Sequence, residues 1–229
     1  MNEHLKLKIL ILLILIFPTL TYGQIAETSP RNQIYFEGQI GLSHYLKNKI
    51  DDELNNAVNF GARFRFELAK RKLSIAPSFN LRQFTRKEGH SDSEEYLLTL
   101  IKSGIQLSFM VIESKDQNLQ LHSLCEFNYT WSAYDYRYED NSYNPTDSPN
   151  KDLFKILAGK GPGIMLGYRL KYHFVFVEMS YDIYGSKHYL SNEAKEAFDQ
   201  QDINYEESFD QGINTFNFNI GFSIPLIWN

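Results

Sequence analysis

Ten charged side chains fall at alternate positions within the apolar stretches of this 229-residue chain. Five are acids: Glu37, Glu67, Glu126, Glu178 and Asp182. Five are bases: Arg63, Arg65, Arg82, Lys102 and Arg169. Two-residue spacing puts such side chains on one face of an extended strand. Equal numbers of opposite charges suit ion pairing in a confined interior, because an unpaired charge removed from water is costly. Hairpin spacing nominates Glu37–Arg65, Glu126–Lys102 and Glu178–Arg169 as parts of one buried ionic network. A solvated outer face would also mix signs, so the charges alone leave both readings open.

The same chain offers little to a nucleophile or a metal. His122 and Ser123 are adjacent on a strand and therefore point to opposite faces. His44, His90 and His188 lie in or near polar stretches, with His188 close to Ser186 and Ser191. Serines gather in polar loops for reasons of turn chemistry. No His/Cys cluster has ligand spacing, and the single Cys125 cannot close an internal disulfide. No enzymatic role, no metal and no cofactor are therefore expected. The formal charge of −5 argues against nucleic acid as a partner.

The elements that must position these charges are strands. Val58 to Leu68 alternates strictly: Phe60, Phe64 and Phe66 share one face, and Asn59, Arg63, Arg65 and Glu67 the other. The last stretch repeats the pattern, with Phe216, Phe218, Ile220 and Phe222 against Asn217, Asn219, Gly221 and Ser223. Eight strands are expected, near 33–45, 58–69, 73–84, 96–111, 118–133, 156–170, 174–184 and 213–227. A short helix is expected over Asn192 to Gln201. Short connections (69–72, 112–117, 171–173) alternate with long polar ones (47–57, 85–95, 134–155, 185–212). An up-and-down barrel places alternate connections at opposite ends, so this alternation predicts a closed eight-stranded antiparallel barrel, all-β, with turns on one side and loops on the other.

Alternation does not say which face is outside, since a soluble lipocalin-like barrel has the same period. Two further features favour lipid outside and charge inside. The strands reach the length of a tilted membrane span. Aromatic residues, 15% of the chain, collect near strand ends: Tyr45, Phe84, Tyr96, Tyr129, Trp131, Tyr134 and Tyr184 toward the loops, and Tyr168, Tyr172, Phe174 and Trp228 toward the turns. Two belts of rings suit two membrane–water interfaces. On this reading Phe60, Phe64, Phe66, Phe216, Phe218, Ile220 and Phe222 face lipid, and the ten charges fill a narrow lumen as a plug. The loops are acidic (Asp51, Asp52, Glu53, Glu94, Glu95, Asp140, Glu206, Glu207 and Asp210), as solvated loops are. Divalent cations could also bridge such acids to lipopolysaccharide phosphates.

The N-terminus has the form of a cleaved secretory leader. Lys6 and Lys8 precede the apolar run Ile9 to Phe17, and the small residues Thr21 and Gly23 precede an expected cut before Gln24. That divides the chain into a leader, 1–23, and a barrel domain, 24–229. Removing Glu3, Lys6 and Lys8 takes away one net positive charge, leaving −6.

With leader, strands and loop asymmetry, the chain resembles small outer-membrane β-barrel proteins of the OmpA-transmembrane or OmpX-like kind. Its aromatic- and Asn-rich style is similar to the outer membrane protein β-barrel domain family of Bacteroidetes-type bacteria. Asn219-x-Gly221-x-x-Ile224-x-Leu226 resembles the terminal signal by which the barrel-assembly machinery takes up its clients. Pro225 and the terminal Trp228-Asn229 depart from that pattern. The resemblance implies an outer-membrane location, with contacts to outer-membrane lipid and lipopolysaccharide, and a structural, adhesion or surface-interaction role. It leaves open a transport or secretion accessory (PorT-like, or a small channel). The soluble periplasmic barrel stays as the third reading, and no extracellular partner is legible.

Overall fold

Strand alternation works here because β-branched and aromatic side chains fit a pleated, half-buried surface. The structure, a computed structural model, describes residues 33–46, 56–68, 72–87, 94–139, 151–202 and 204–226. The expected leader, the connections 47–55, 69–71, 88–93 and 140–150, and Trp228-Asn229 lie outside the described residues, as do Asp51, Asp52, Glu53, His90 and Asp140. Eight strands follow one another: β1 Ile34–Leu46, β2 Asn56–Leu68, β3 Leu73–Lys87, β4 Glu94–Glu113, β5 Leu119–Glu139, β6 Lys151–Tyr172, β7 Val175–Leu190 and β8 Ser208–Pro225. Each pairs antiparallel with its chain neighbour, and β8 returns to β1, so the sheet is a closed barrel. Among the described residues there is one helix, α1 (Asn192–Gln200), capped by the Ser191 hydroxyl, which accepts from the Ala194 N–H at 3.0 Å.

The register sets the tilt. A walk around the wall from Val175 passes Phe222, Gly38, Ala62, Phe79, Ser103 and Tyr129 and reaches Pro162. Val175 itself faces Tyr172, ten residues from Pro162. That stagger corresponds to strands inclined by about 40°. The outward face of β6 is apolar from Tyr172 up to Pro162, and Lys160 follows. The twelve steps from Tyr172 to Lys160, at ~3.3 Å each and so inclined, span roughly 30 Å, the thickness of a hydrocarbon layer.

Apolar residues line the outside and polar residues the inside, opposite to the soluble lipocalin-like reading, which is thereby excluded. Phe60, Phe64, Phe216, Phe218, Ile220, Phe222, Ile224 and Leu226 are all exposed, and Phe66 is half-exposed on the same face. Three details of the sequence reading are corrected. First, β4, β5 and β6 are 20, 21 and 22 residues long, about twice a membrane span. Their extra length lies beyond Trp131 and Lys160, where β4 to β7 form a wall on the loop side. Second, Glu37 faces Arg63, Glu126 faces Gln106 and Glu178 faces Arg169, whereas hairpin spacing placed Arg65 or Glu67, Gly104 and Gly167 opposite them. Each hairpin closes one or more residues away from its expected centre, and a one-residue move of the centre shifts every partner by two. His173, at φ 53° in the β6–β7 turn, and Gln117, at φ 59° in the β4–β5 turn, adopt the left-handed backbone that such tight closures use. Third, Tyr45, Phe84, Tyr134 and Tyr184 do not join a lipid-facing belt. All four are buried and point into the barrel.

Candidate functional site: a charged plug beneath an apolar ring

All ten charges singled out in the sequence are buried in the lumen, where they form two groups, each electrically neutral. The group nearer the turns holds Arg63, Arg65 and Arg169 with Glu37, Glu67 and Glu178. Glu37 is its centre: it accepts from Arg63 at 2.6 Å, Arg65 at 2.7 Å and Arg169 at 3.0 Å. Glu178 accepts from Arg63 and Arg169, both at 2.9 Å. Arg65 also donates to Glu67 at 2.7 Å. The group nearer the loops holds Arg82 and Lys102 with Glu126 and Asp182. Lys102 bridges Glu126 at 2.8 Å and Asp182 at 3.3 Å, and Arg82 donates to Asp182. The nominated pairs Glu37–Arg65, Glu126–Lys102 and Glu178–Arg169 are thus all within ion-pair distance, but they belong to two groups and not to the one network expected, because among the described residues no ion pair joins the arginines nearer the turns to Glu126 or Asp182. Charge-assisted bonds of this kind are short and directional.

Neutral residues complete both groups; the sequence reading set Asn217, Asn219 and Gly221 on the polar face but did not name Gln106, Phe176 or Ser78. The Gln106 side-chain carbonyl accepts from Arg63 at 3.1 Å and Arg169 at 2.8 Å. The Phe176 ring lies under the same two guanidinium groups, at 5.1 and 4.7 Å, a cation–π arrangement. Gly221 makes room for that ring: a Cβ there would sit 2.3 Å from Phe176 Cζ. Gly221 therefore packs the plug, besides belonging to the terminal pattern. Asn219 of that pattern faces inward and accepts from Asn59 at 2.6 Å. Asn217 donates to Asp182 at 3.0 Å, and Ser78 donates to Glu126 at 3.0 Å. Lys171, also inward, places its ammonium over the Tyr35 ring at 4.7 Å.

On the loop side of the charges sits an apolar layer. Tyr45, Ala57, Phe84, Leu98, Leu100, Tyr134, Leu157, Tyr184 and Ile213 form one buried cluster, with at least one residue from every strand. The nearly continuous apolar run Leu97 to Ile101 has its explanation here, since Leu98 and Leu100 point inward among these residues. Tyr184 ties the layers together by accepting from Arg82 at 2.7 Å. The lumen is filled twice over, by paired charge and then by rings and aliphatic side chains.

His188 faces inward near the rim. Its Nε2 is 3.1 Å from the Ser132 hydroxyl and 3.5 Å from that of Ser186. The strand pairing of β5, β6 and β7 sets Ser132 and His188 on either side of Gly159, a neighbour the sequence did not suggest. His122 is buried on the inward face, and Ser123 is its outward neighbour.

Together these features define a class: a transmembrane β-barrel with a polar, filled interior. No known protein-family profile matches the chain, and no curated protein matches it either. Solved outer-membrane proteins have a similar fold. Ail, the attachment invasion locus protein of Yersinia pestis, solved with the heparin analogue sucrose octasulfate, is 10% identical, with 85% of this chain and 100% of that chain covered and a TM-score of 0.48. OprG from Pseudomonas aeruginosa is 10% identical, with coverages of 84% and 96% and a TM-score of 0.43. The outer membrane protease OmpT from Escherichia coli is 9% identical, with coverages of 88% and 99% and a TM-score of 0.34. These likenesses extend to the fold alone. One of these neighbours is a protease, so the expectation of no enzymatic role does not stand.

Proposed function

We propose that this chain is an outer-membrane barrel with a structural or surface-interaction role, secreted with loss of residues 1–23 and seated among outer-membrane lipid and lipopolysaccharide. The barrel-assembly machinery would insert it through the pattern at Asn219, Gly221, Ile224 and Leu226, of which Asn219, Gly221 and Ile224 lie in β8. The style of the sequence supports a Bacteroidetes-type source. One observation carries the reading: the lumen is closed by ten paired charges and an apolar ring. With the lumen filled in this way, interaction falls to the loop side, where β4 to β7 project past the apolar belt. A small channel is disfavoured on the same ground.

The test is protease shaving of intact cells. Protease added outside should cut within 140–150 and leave the turn at 114–118 intact, and the chain should fractionate with the outer membrane. Cleavage only after lysis would reject a loop side that faces outward.

A further inference from the structure

Two lysines break the apolar outer face at one place. Lys160 on β6 and Lys187 on β7 are direct cross-strand partners, both exposed and both pointing outward. Trp131 faces Lys160 from the other side, so a tryptophan and two lysines form one row across three strands. Like charges placed opposite each other on a sheet repel. Asp210 on β8 is the direct partner of Lys187 on its other side, yet among the described residues no acid forms an ion pair with either lysine. The row marks the upper edge of the ~30 Å apolar belt, the height at which ammonium groups reach lipid headgroups.

Just above the row is a groove of about 370 Å³, within the size range of small-ligand sites. Its floor is Ala133 paired with Ala158, and its walls include Trp131, Tyr189 and Lys160. Trp131 and Tyr189 are both largely exposed, at 44% and 47%. Tyr129 packs edge-on to Trp131 with ring centroids 5.1 Å apart, and Lys187 lies 5.5 Å from the Tyr189 ring centre. Lys160 on the lining, Lys187 next to it just outside, a shallow floor and two flanking rings complement a phosphate attached to a sugar ring. The phosphate meets the ammonium groups and the sugar lies between the aromatic faces.

We infer that this groove binds the headgroup of a phosphorylated, acylated glycolipid in the loop-side leaflet, with its phosphate on Lys160 and Lys187 and its sugar between Trp131 and Tyr189. This rests on the reading of the outer face as lipid-facing. The full barrel, carrying Trp228→Phe so that Trp131 is the only tryptophan, is titrated in a neutral polyoxyethylene detergent. The probes are bisphosphorylated lipid A, its dephosphorylated form and phosphatidylglycerol, and the readout is Trp131 fluorescence with native mass spectrometry of the adducts. Bisphosphorylated lipid A should bind tightest. Lys160→Gln with Lys187→Gln should weaken it about thirtyfold, and Lys160→Arg with Lys187→Arg should restore it. Unchanged binding by the glutamine variant in a folded, vesicle-inserted barrel overturns the site alone. Equal affinity for phosphatidylglycerol overturns the glycolipid assignment. Failure of the unaltered barrel to insert into vesicles overturns the lipid-facing reading and the site together.

Discussion

Glu37 accepts from three guanidinium groups, and no other acid in the lumen serves as many. Replacing it by glutamine keeps the shape but leaves Arg63, Arg65 and Arg169 short of negative charge. Breaking a buried pair from one side costs about 3–5 kcal/mol, and Glu37→Gln should lie in that range. Glu67→Gln, with one arginine partner, should cost less. Urea unfolding of the barrel in lipid vesicles, followed by tryptophan fluorescence, checks the order. A sharper comparison uses Lys102→Met. Alone, it strands Glu126, which keeps the Ser78 hydroxyl as a donor. Combined with Glu126→Gln, it removes the stranded charge, so the double variant should be more stable than the single. All ten charged residues were legible from alternation and balance of sign. Gln106 and Phe176 were not, because a glutamine and a phenylalanine in a strand carry no mark of what they will face. Their roles depend on strand register, which rests on where each hairpin closes.

At the scale of elements, parity along a strand decides which rings meet lipid. Tyr45 is an even number of residues from Glu37, Phe84 from Arg82, Tyr134 from Glu126 and Tyr184 from Asp182. Counting from those charges turns all four rings inward, where the structure has them. Clustering near strand ends was the weaker signal, and it misassigned them. The outward phenylalanines obey the same count. Phe64 lies between Phe60 and Leu68 on the lipid face of β2, so Phe64→Arg should cost about 2–4 kcal/mol near mid-bilayer, read from the same unfolding curves. Glycine matters at Gly161, where a Cβ would meet the Gly185 carbonyl at 1.7 Å. Gly161→Ala should therefore force β6 from β7 and lower the yield of heat-modifiable, folded barrel on gels. Turns respond to pH instead. The Asp116 carboxylate accepts from the Ser114 hydroxyl and, at 2.8 Å, from Asn118 Nδ2, and these bonds hold its pKa below the usual carboxylate range. A lowered folded-state pKa means the turn is fully supported at neutral pH and loses that support only as pH falls below about 4. Protection of the Leu119 N–H, which donates to Ser114 Oγ, taken as its exchange relative to an unstructured chain at the same pH, should fall over that acid range in the native chain and stay low throughout in Asp116→Ala.

For the whole molecule, the two fillings of the lumen act in series, and that makes permeability a test of the architecture. Closure, strand number and the inside–outside sense were readable from period two and the alternation of short and long connections. The apolar ring was not, because it is assembled from one or two residues per strand, far apart in sequence. A plug made only of charge would open when its pairs were broken. Here Phe84, Leu98 and Tyr184 close the barrel independently on the loop side. The unaltered protein should therefore pass almost no current in planar bilayers, and Glu37→Gln should pass no more despite its lower stability. Truncating the ring alone, with Phe84→Ala, Leu98→Ala and Tyr184→Ala, should leave the charged layers in place and the conductance low. Only the ring variant combined with Glu37→Gln and Glu178→Gln removes material from both layers, and it should show discrete openings whose size depends on salt. Arg63 and Arg169, then left without carboxylates, should make those openings anion-selective. A large, salt-dependent conductance from the unaltered barrel would reject the sealed lumen. Full conductance from Glu37→Gln alone would show that charge pairing is the one barrier and that the ring does not close.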